Sequence, residues 1–304
     1  MALTTEQIDF AKAKNTTVTN TAAKLMEFFK PINEEGLIVK DFKSSFLGGT
    51  DGMGFLGIGC IGGFVLPIII GIICAILDFS DNNIVILCEL TLVVMIEFSI
   101  IGYIYNKIFL SKHPGAPGDP DRLTHLIMPL IGFLSQDLKD DEQITVKSAL
   151  VPLNSDTFKL SHNQIEDLGK RSKRGLDVYS GELLELTTRM ADGTAASFNV
   201  SEVLSTVYVY KKHGSDKRSR KEKVTIKAGF AFPANAYGNT QEGEYELDEN
   251  TSAVVTTSEK RVKVVVKKVI GGSSDTSNTD VCVTSQQILN GCVDAMAAAY
   301  SIVG

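Results

Sequence analysis

Two long apolar stretches, residues 53–77 and 84–110, dominate the hydrophobic pattern of the chain. A short, mostly polar segment, residues 78–83, separates them. A helix needs about 20 apolar residues to cross the roughly 30 Å hydrocarbon layer of a bilayer, and both stretches exceed that length. The pattern predicts a transmembrane helical hairpin within residues 47–112.

The charges beside these stretches predict their orientation. Lys40 and Lys43 precede the first stretch, Lys107 and Lys112 lie at or beyond the end of the second, and the connecting segment has no Lys or Arg. Lys and Arg concentrate in the cytoplasmic loops of membrane proteins. We therefore expect an integral membrane protein in a lipid bilayer, with two spans and both termini in the cytoplasm.

Four residues inside the stretches are candidates for a role in the hairpin. Gly59 and Gly63 have the small-xxx-small spacing that lets helices approach closely, within the hairpin or between subunits. Glu89 and Glu97 are eight residues apart, about 80° around a helix. Acidic residues inside a membrane are costly and often functional. They predict either a proton or cation pathway in an oligomer or a structural hydrogen bond from a protonated Glu97.

The first 30 residues have a helical pattern. Thr4 and Thr5 can cap a helix that ends near Lys30, because Pro31 follows. A seam with alternating spacings of three and four runs along it: Ile8, Ala11, Asn15, Val18, Ala22, Leu25 and Phe29. Three heptads of this kind are typical of a short coiled coil. The seam predicts either packing on the chain's own domain or self-association into a homo-oligomer.

The period changes after residues 113–120, which are rich in Pro and Gly and predict a linker. Asp192-Gly193 is a strong hairpin signal between the predicted strands 182–190 and 194–200. The pattern predicts further strands over residues 203–212, 220–232 and 261–270. Strands joined by short turns form an antiparallel meander with one solvated face.

The C-terminal residues predict a helix. Thr284 and Gln287 have the spacing of a capping box. An apolar stripe follows: Ile288, Leu289, Cys292, Val293, Met296 and Tyr300. We expect this stripe to pack on the sheet rather than to bind a partner.

These patterns predict an α+β membrane protein in four parts. Residues 1–46 form an N-terminal amphipathic helix and the segment that leads to the membrane. Residues 47–112 form the transmembrane hairpin, and residues 113–120 the linker. Residues 121–304 form an antiparallel β-rich cytoplasmic domain with flanking helices, one of them terminal.

Basic residues concentrate in the predicted β-rich domain, although the formal net charge of the chain is -6. The basic patch has eight side chains: Lys211, Lys212, Lys217, Arg218, Arg220, Lys221, Lys223 and Lys227. It predicts either protection of a strand edge or contact with an anionic lipid or acidic protein. Nucleic acid is not an expected partner, because a pair of tyrosines on a strand, Tyr208 and Tyr210, usually packs across strands.

No catalytic or metal signature is present in the sequence. The four histidines are scattered, Cys-x-x-Cys is absent, and no nucleotide-binding glycine loop follows a strand. We therefore expect no enzymatic activity, no cofactor and no metal. The expected function is that of a membrane-anchored, self-associating structural or assembly protein. The alternatives are a conducting oligomer built around Glu97 and a tethered adaptor or sensor that binds acidic partners.

Overall fold

A computed structural model describes most of the chain outside the two apolar stretches. The described residues are 3–12, 16–47, 104, 107–113, 117–167, 172–211, 217–237, 240–274 and 283–304. The chain divides into two compact units, Met1–Glu34 with Gly115–Gly304, and Glu35–Pro114. The first unit contains every strand that the structure describes.

Nine strands and four longer helices make up most of the described chain. The strands are β1 Thr16–Thr21, β2 Gln143–Ser148, β3 Lys159–Asp167, β4 Ser172–Arg189, β5 Ala195–Lys211, β6 Lys217–Pro233, β7 Gly243–Asp248, β8 Thr251–Thr257 and β9 Arg261–Ser274. The helices are α1 Thr5–Lys12, α2 Ala22–Leu47, α3 Met128–Leu134 and α4 Ser285–Val303. Short helical turns lie at Pro120–Arg122, Leu123–Ile127, Ser135–Asp137, Asp156–Phe158 and Ala234–Tyr237.

All nine strands belong to one antiparallel sheet. Its order is β1-β2-β4-β5-β6-β9-β8-β7, and β3 pairs with the first half of β4. The predicted strands 194–200 and 203–212 are one continuous strand, β5, of 17 residues. The predicted antiparallel arrangement of this region is confirmed, but the sheet is larger than the predicted meander because it also includes β1, β3, β7 and β8.

The turn between β4 and β5 is the predicted Asp192-Gly193 hairpin. Gly193 has a φ of 88°, in the left-handed region that glycine adopts without strain. The backbone N–H of Met190 donates to the carbonyl of Thr194 over 2.8 Å and closes the turn. This prediction is confirmed.

One face of the sheet carries the main hydrophobic core. Phe198 of β5 and Phe230 and Phe232 of β6 point to this face, and each is at most 2% exposed. Parts of α1, α2, α3 and α4 contribute buried side chains to the same core. In α4, the predicted capping box is present, and Ile288, Cys292 and Met296 of the predicted stripe are buried. The prediction that α4 packs on the sheet is therefore confirmed.

The predicted continuous N-terminal helix is wrong. β1 lies between α1 and α2, because its run of Thr and Val favours extended backbone and pairs with β2, Val18 lying opposite Val146. The second helix then continues through Pro31, with Phe29 and Ile32 buried on either side of the proline. Tertiary packing therefore overrides the helix-ending tendency of proline.

The predicted coiled-coil seam is divided among these elements. Ala11, Val18, Leu25 and Phe29 belong to the chain's own core. Two others, Ile8 and Ala22, are half-buried, and Asn15 lies outside the described residues. Self-association through the seam stays a prediction.

The fold class and location predicted from the apolar stretches are corrected by the structure. Among the residues that it describes, no helix combines the length and the apolar character needed to cross a membrane. The longest described helix, α2, has 26 residues but carries charges along its length, including Lys24, Glu27 and Lys30. The predicted fold was a two-helix transmembrane hairpin, in a two-span integral membrane protein with cytoplasmic termini. The structure instead has one nine-stranded antiparallel sheet with a few helices.

Four of the predicted site residues fall within the apolar stretches. Gly59, Gly63, Glu89 and Glu97 lie outside the described residues.

Candidate functional site: the lysine-rich outer face of the sheet

The sheet has an exposed side opposite the main core, which we call the outer face. On β6, Val224 and Ile226 are buried, whereas Lys223 and Lys227 are exposed. β9 alternates in the same way, each buried valine of residues 262–266 being followed by an exposed residue. Successive side chains of a strand point to opposite faces, so the exposed residues of β6 and β9 share the outer face.

Five exposed lysines lie on this face: Lys221, Lys223 and Lys227 of β6, and Lys263 and Lys267 of β9. Lys227 and Lys267 are directly opposite each other in the β6–β9 register. Within the part of the chain that the structure describes, none of the five forms an ion pair. Like charges directly opposite on neighbouring strands destabilise a sheet.

Three other described lysines, Lys147, Lys159 and Lys268, are paired with nearby carboxylates. Nζ of Lys147 lies 3.2 Å from Oε2 of Glu185 and 3.6 Å from Oε2 of Glu182. The hydrogen bond to Glu185 and the negative charges of both glutamates raise the pKa of Lys147. Nζ of Lys268 lies 2.7 Å from Oδ2 of Asp294. The five lysines of the outer face therefore form a positive surface that the described chain leaves uncompensated.

Two valines give the outer face a small apolar centre. Val254 of β8 is 42% exposed and Val265 of β9 is 46% exposed. They are register partners, so they lie side by side on the face. Isolated exposed valines are common, but this pair lies next to the lysines of β9.

An acidic strand borders the face on its far side. β7 is an edge strand of the sheet, and Glu244 and Glu246 are exposed along it. The register places Glu244 opposite Val254 and Glu246 opposite Ser252, so both glutamates lie on the outer face. The face therefore runs from basic on β6 and β9, through β8, to acidic on β7.

Part of the predicted basic patch is brought together on this face. Lys221, Lys223 and Lys227 lie on it, whereas Arg220 is half-buried and shares the inner side with Glu222. Lys212 lies outside the described residues, and Lys211, Lys217 and Arg218 lie at strand ends for which only the backbone is described.

β6 is paired on both sides, with β5 and β9, so its lysines do not protect a strand edge. That interpretation of the basic patch is wrong for β6. The predicted basic patch does not include Lys263 and Lys267, and the valine pair and Glu244 with Glu246 were not predicted to lie beside it. Only the register brings these residues onto one face.

A buried carboxyl pair lies on the inner side of the same strands. Glu202 of β5 and Glu222 of β6 are 7% and 8% exposed, and their side chains are hydrogen-bonded. Burial, together with the charge of Glu222, raises the pKa of Glu202 to about 8. Oε2 of Glu222 also accepts a hydrogen bond of 3.1 Å from the backbone N–H of Val283.

Arg122, in the segment before α3, is a charged neighbour of this pair. Arg122 is 4% exposed, and its Nη2 lies 3.1 Å from Oδ2 of Asp119. Its Nη1 donates to the carbonyl of Ala149. When Glu202 is protonated, its hydroxyl can donate a hydrogen bond to the Glu222 carboxylate. The pair therefore forms a buried contact that joins β5, β6 and the residues before α4.

An open cavity of about 430 Å³ lies between α4 and the β4–β5 turn. Its lining includes Phe133, Met190, Met296 and Tyr300, with Asp192 at one side. The Asp192 carboxylate accepts hydrogen bonds from the N–H and hydroxyl of Thr194 and from two tyrosine hydroxyls. These bonds outweigh burial and lower the pKa of Asp192. The carboxylate is thus engaged in holding the turn.

Among the described residues, no group of three or more His, Cys, Asp or Glu is arranged to hold a metal ion. No protein-family model, curated protein or solved structure matches the chain.

Proposed function

We propose that this chain is a binding and assembly protein whose outer face docks an acidic protein. The observation that carries the proposal is the set of five exposed lysines on β6 and β9, with Lys227 directly opposite Lys267. An acidic surface laid on this face relieves the repulsion between those two lysines. Binding of such a partner is therefore favoured by the charge arrangement of the free protein.

The paired strands keep the lysine backbones in fixed positions. β6 and β9 lie between other strands, and their backbone hydrogen bonds set the spacing of the charges. A fixed array of positive charges steers an acidic partner and sets its register more than it adds affinity. We therefore expect binding that weakens steeply as salt screens the charges.

A protein partner fits the face better than a nucleic acid. The exposed Val254 and Val265 offer an apolar contact that a protein surface can cover and a phosphate backbone cannot use. Glu244 and Glu246, at the border of the face, repel phosphates. An acidic protein with some basic or neutral groups at its margin matches both features.

The test is binding of the full chain to fluorescent poly-L-glutamate, measured by anisotropy. We expect binding at about 0.01 M salt, where the Debye length is about 30 Å, and its loss at about 1 M salt, where it is about 3 Å. The double variant Lys227→Glu with Lys267→Glu should abolish binding. The matched control, Lys24→Glu with Lys139→Glu, makes the same charge change at exposed positions away from the face. This control should retain most of the affinity for poly-L-glutamate.

Three results would overturn the proposal. One is no binding of poly-L-glutamate at low salt. Another is equal loss of binding in both double variants, which would show a response to net charge alone. The third is tighter binding of duplex DNA than of poly-L-glutamate through the same two lysines, which would make the partner a nucleic acid.

A further inference from the structure

We propose that the acidic partner is a second copy of this chain, and that two copies pair their outer faces about a two-fold axis. The axis runs parallel to the strands, between β8 and β9. This inference rests on the proposed function, since it identifies the occupant of the same lysine-rich face.

The face carries two rows whose residues are register partners across four strands. The first row is Gly229, Val265, Val254 and Glu244, from β6 to β7. The second row is Lys227, Lys267, Ser252 and Glu246, in the same strand order. In the second row, positive charge lies at one end and negative charge at the other. This arrangement is self-complementary.

A two-fold axis parallel to the strands reverses the order of the strands in the other copy. β6 then faces β7 of the other copy, so Lys227 meets Glu246 of that copy, and the reverse contact forms by symmetry. The valine pair lies next to the axis, so Val254 faces Val265 of the other copy. One arrangement therefore pairs Lys227 with Glu246 of the other copy and also brings the valines of the two copies together.

The alternative two-fold axis, perpendicular to the strands within the plane of the face, is opposed by charge. It would place β6 on β6 and bring Lys227 toward Lys227 of the other copy. Like charges brought together in an interface cost several kcal/mol and exclude that pairing. The charge pattern therefore selects one symmetric arrangement of the two sheets.

The distances of sheet packing suit these side chains. Sheets pack face to face about 10 Å apart, a gap that a Lys and a Glu side chain can close between them. The axes of the four strands span about 14 Å at a spacing of about 4.8 Å. This patch is smaller than the roughly 800 Å² per partner of a standard interface, so we expect a weak, salt-sensitive dimer.

Analytical ultracentrifugation of the full chain and its charge variants tests the inference. We expect a concentration-dependent dimer at low salt that dissociates as salt rises. Lys227→Glu and Glu246→Lys should each raise the dimer dissociation constant by about tenfold or more, since about 1.4 kcal/mol corresponds to tenfold. The combined variant, Lys227→Glu with Glu246→Lys, restores opposite charges across the axis and should dimerise almost as tightly as the unmodified chain.

The control variant is Glu6→Lys, which makes the same charge change at an exposed residue of α1, away from the outer face. It should leave the dimer unchanged. A strictly monomeric chain at low salt would overturn the inference, and so would a failure of the combined variant to dimerise while its thermal unfolding stays normal.

Poly-L-glutamate binding separates this inference from the proposed function. The Glu246→Lys variant loses the dimer contact but keeps all five lysines of the outer face, so it should still bind poly-L-glutamate. If it does, and the unmodified chain is also monomeric, the acidic partner is a different protein and the inference alone fails. If neither the polymer nor a second copy binds, both fail.

Discussion

The hydroxyl of Tyr300 lies 3.3 Å from Oδ2 of Asp192, which joins the end of α4 to the turn between β4 and β5. Tyr237 donates to the same oxygen over 3.1 Å. Burial, together with the charge of Asp192, raises the pKa of Tyr300 to about 12, so its hydroxyl stays protonated as a donor. A single carboxylate therefore ties the terminal helix to the hairpin.

Tyr300→Phe should lower the free energy of unfolding by about 1 kcal/mol at pH 7, the usual net worth of one hydrogen bond. The ring contacts of Tyr300 with Phe230 and Phe232 remain in this variant. Urea unfolding measures the loss. Tyr245→Phe is the matched control, since it removes an exposed hydroxyl that donates to a backbone carbonyl at Gln241, and it should cost less.

The same contact has an expected pH dependence. The pKa of Asp192 is lowered in the folded protein, so its contribution is present above the ordinary value of 3.8 and is lost as pH falls below it. The difference between Tyr300→Phe and the unmodified chain should shrink in that acidic range. A difference that grows on acidification would contradict the assigned role of Asp192.

Two glycines in helices predict opposite effects of the same substitution. A Cβ on Gly291 of α4 would lie 2.5 Å from Cδ1 of Ile226 and 3.0 Å from Cδ1 of Ile270. A Cβ on Gly132 of α3 would meet nothing within 4 Å. Gly291→Ala should destabilise the fold by about 1 kcal/mol, because overpacking against the sheet outweighs the gain in helix propensity. Gly132→Ala should stabilise it by about 0.5 to 1 kcal/mol.

Urea midpoints of the two variants, measured side by side, check this pair of predictions. If Gly291→Ala is as stable as Gly132→Ala, then α4 does not pack as closely on the sheet as the structure shows. The comparison also tests the docking of α4 independently of its polar contacts.

Local signals in the sequence predicted the turn at Gly193 and the cap of α4. Both depend on residues within a few positions of one another, so the sequence pattern contains all the information needed. The segment Thr16–Thr21 could not be predicted from local signals, because Val18 fits a helical seam as well as it fits a strand. Pairing with β2, more than 120 residues away in the sequence, decided between the two.

The candidate site was only partly predictable for the same reason. The basic residues of β6 were evident, but their neighbours Lys267, Ser252 and Glu246 come from three other strands. The register that aligns them is a tertiary property. Glu202 and Glu222 are different, since each occupies an apolar-face position of its strand, and strict alternation would have identified both as buried acids.

Thr284→Ala should lower stability by about 1 kcal/mol through loss of the N-cap of α4. The hydroxyl of Thr284 accepts a hydrogen bond of 3.2 Å from the N–H of Gln287, and Oε1 of Gln287 accepts one of 2.8 Å from the N–H of Thr284. Thr284→Ser keeps the hydroxyl and should stay close to the unmodified chain. Thermal unfolding compares the two, and equal losses would point to packing of the threonine methyl group instead of the cap.

The carboxyl pair predicts that the stability of the fold depends on pH near neutrality. In the folded state Glu202 keeps its proton up to a pKa of about 8, whereas in the unfolded chain it releases it near its ordinary value of 4.5. The folded state therefore binds more protons between these two values, and the free energy of unfolding falls as pH rises through that window. Each unit of pKa difference corresponds to about 1.4 kcal/mol, so the loss is on the order of 5 kcal/mol.

Glu202→Gln removes this titration and keeps a donor for Glu222. We expect the variant to match the unmodified chain near pH 4.5 and to become progressively more stable than it up to about pH 8. Above that pH the difference should stay constant, because Glu202 is then ionised in both states. Urea unfolding over this pH range measures the difference, and Glu244→Gln, at an exposed position of β7, is the matched control. If the free energies of unfolding of Glu202→Gln and the unmodified chain change with pH in parallel, the two carboxyls do not share a proton. Glu202 would then be charged in the folded protein and balanced by Arg122.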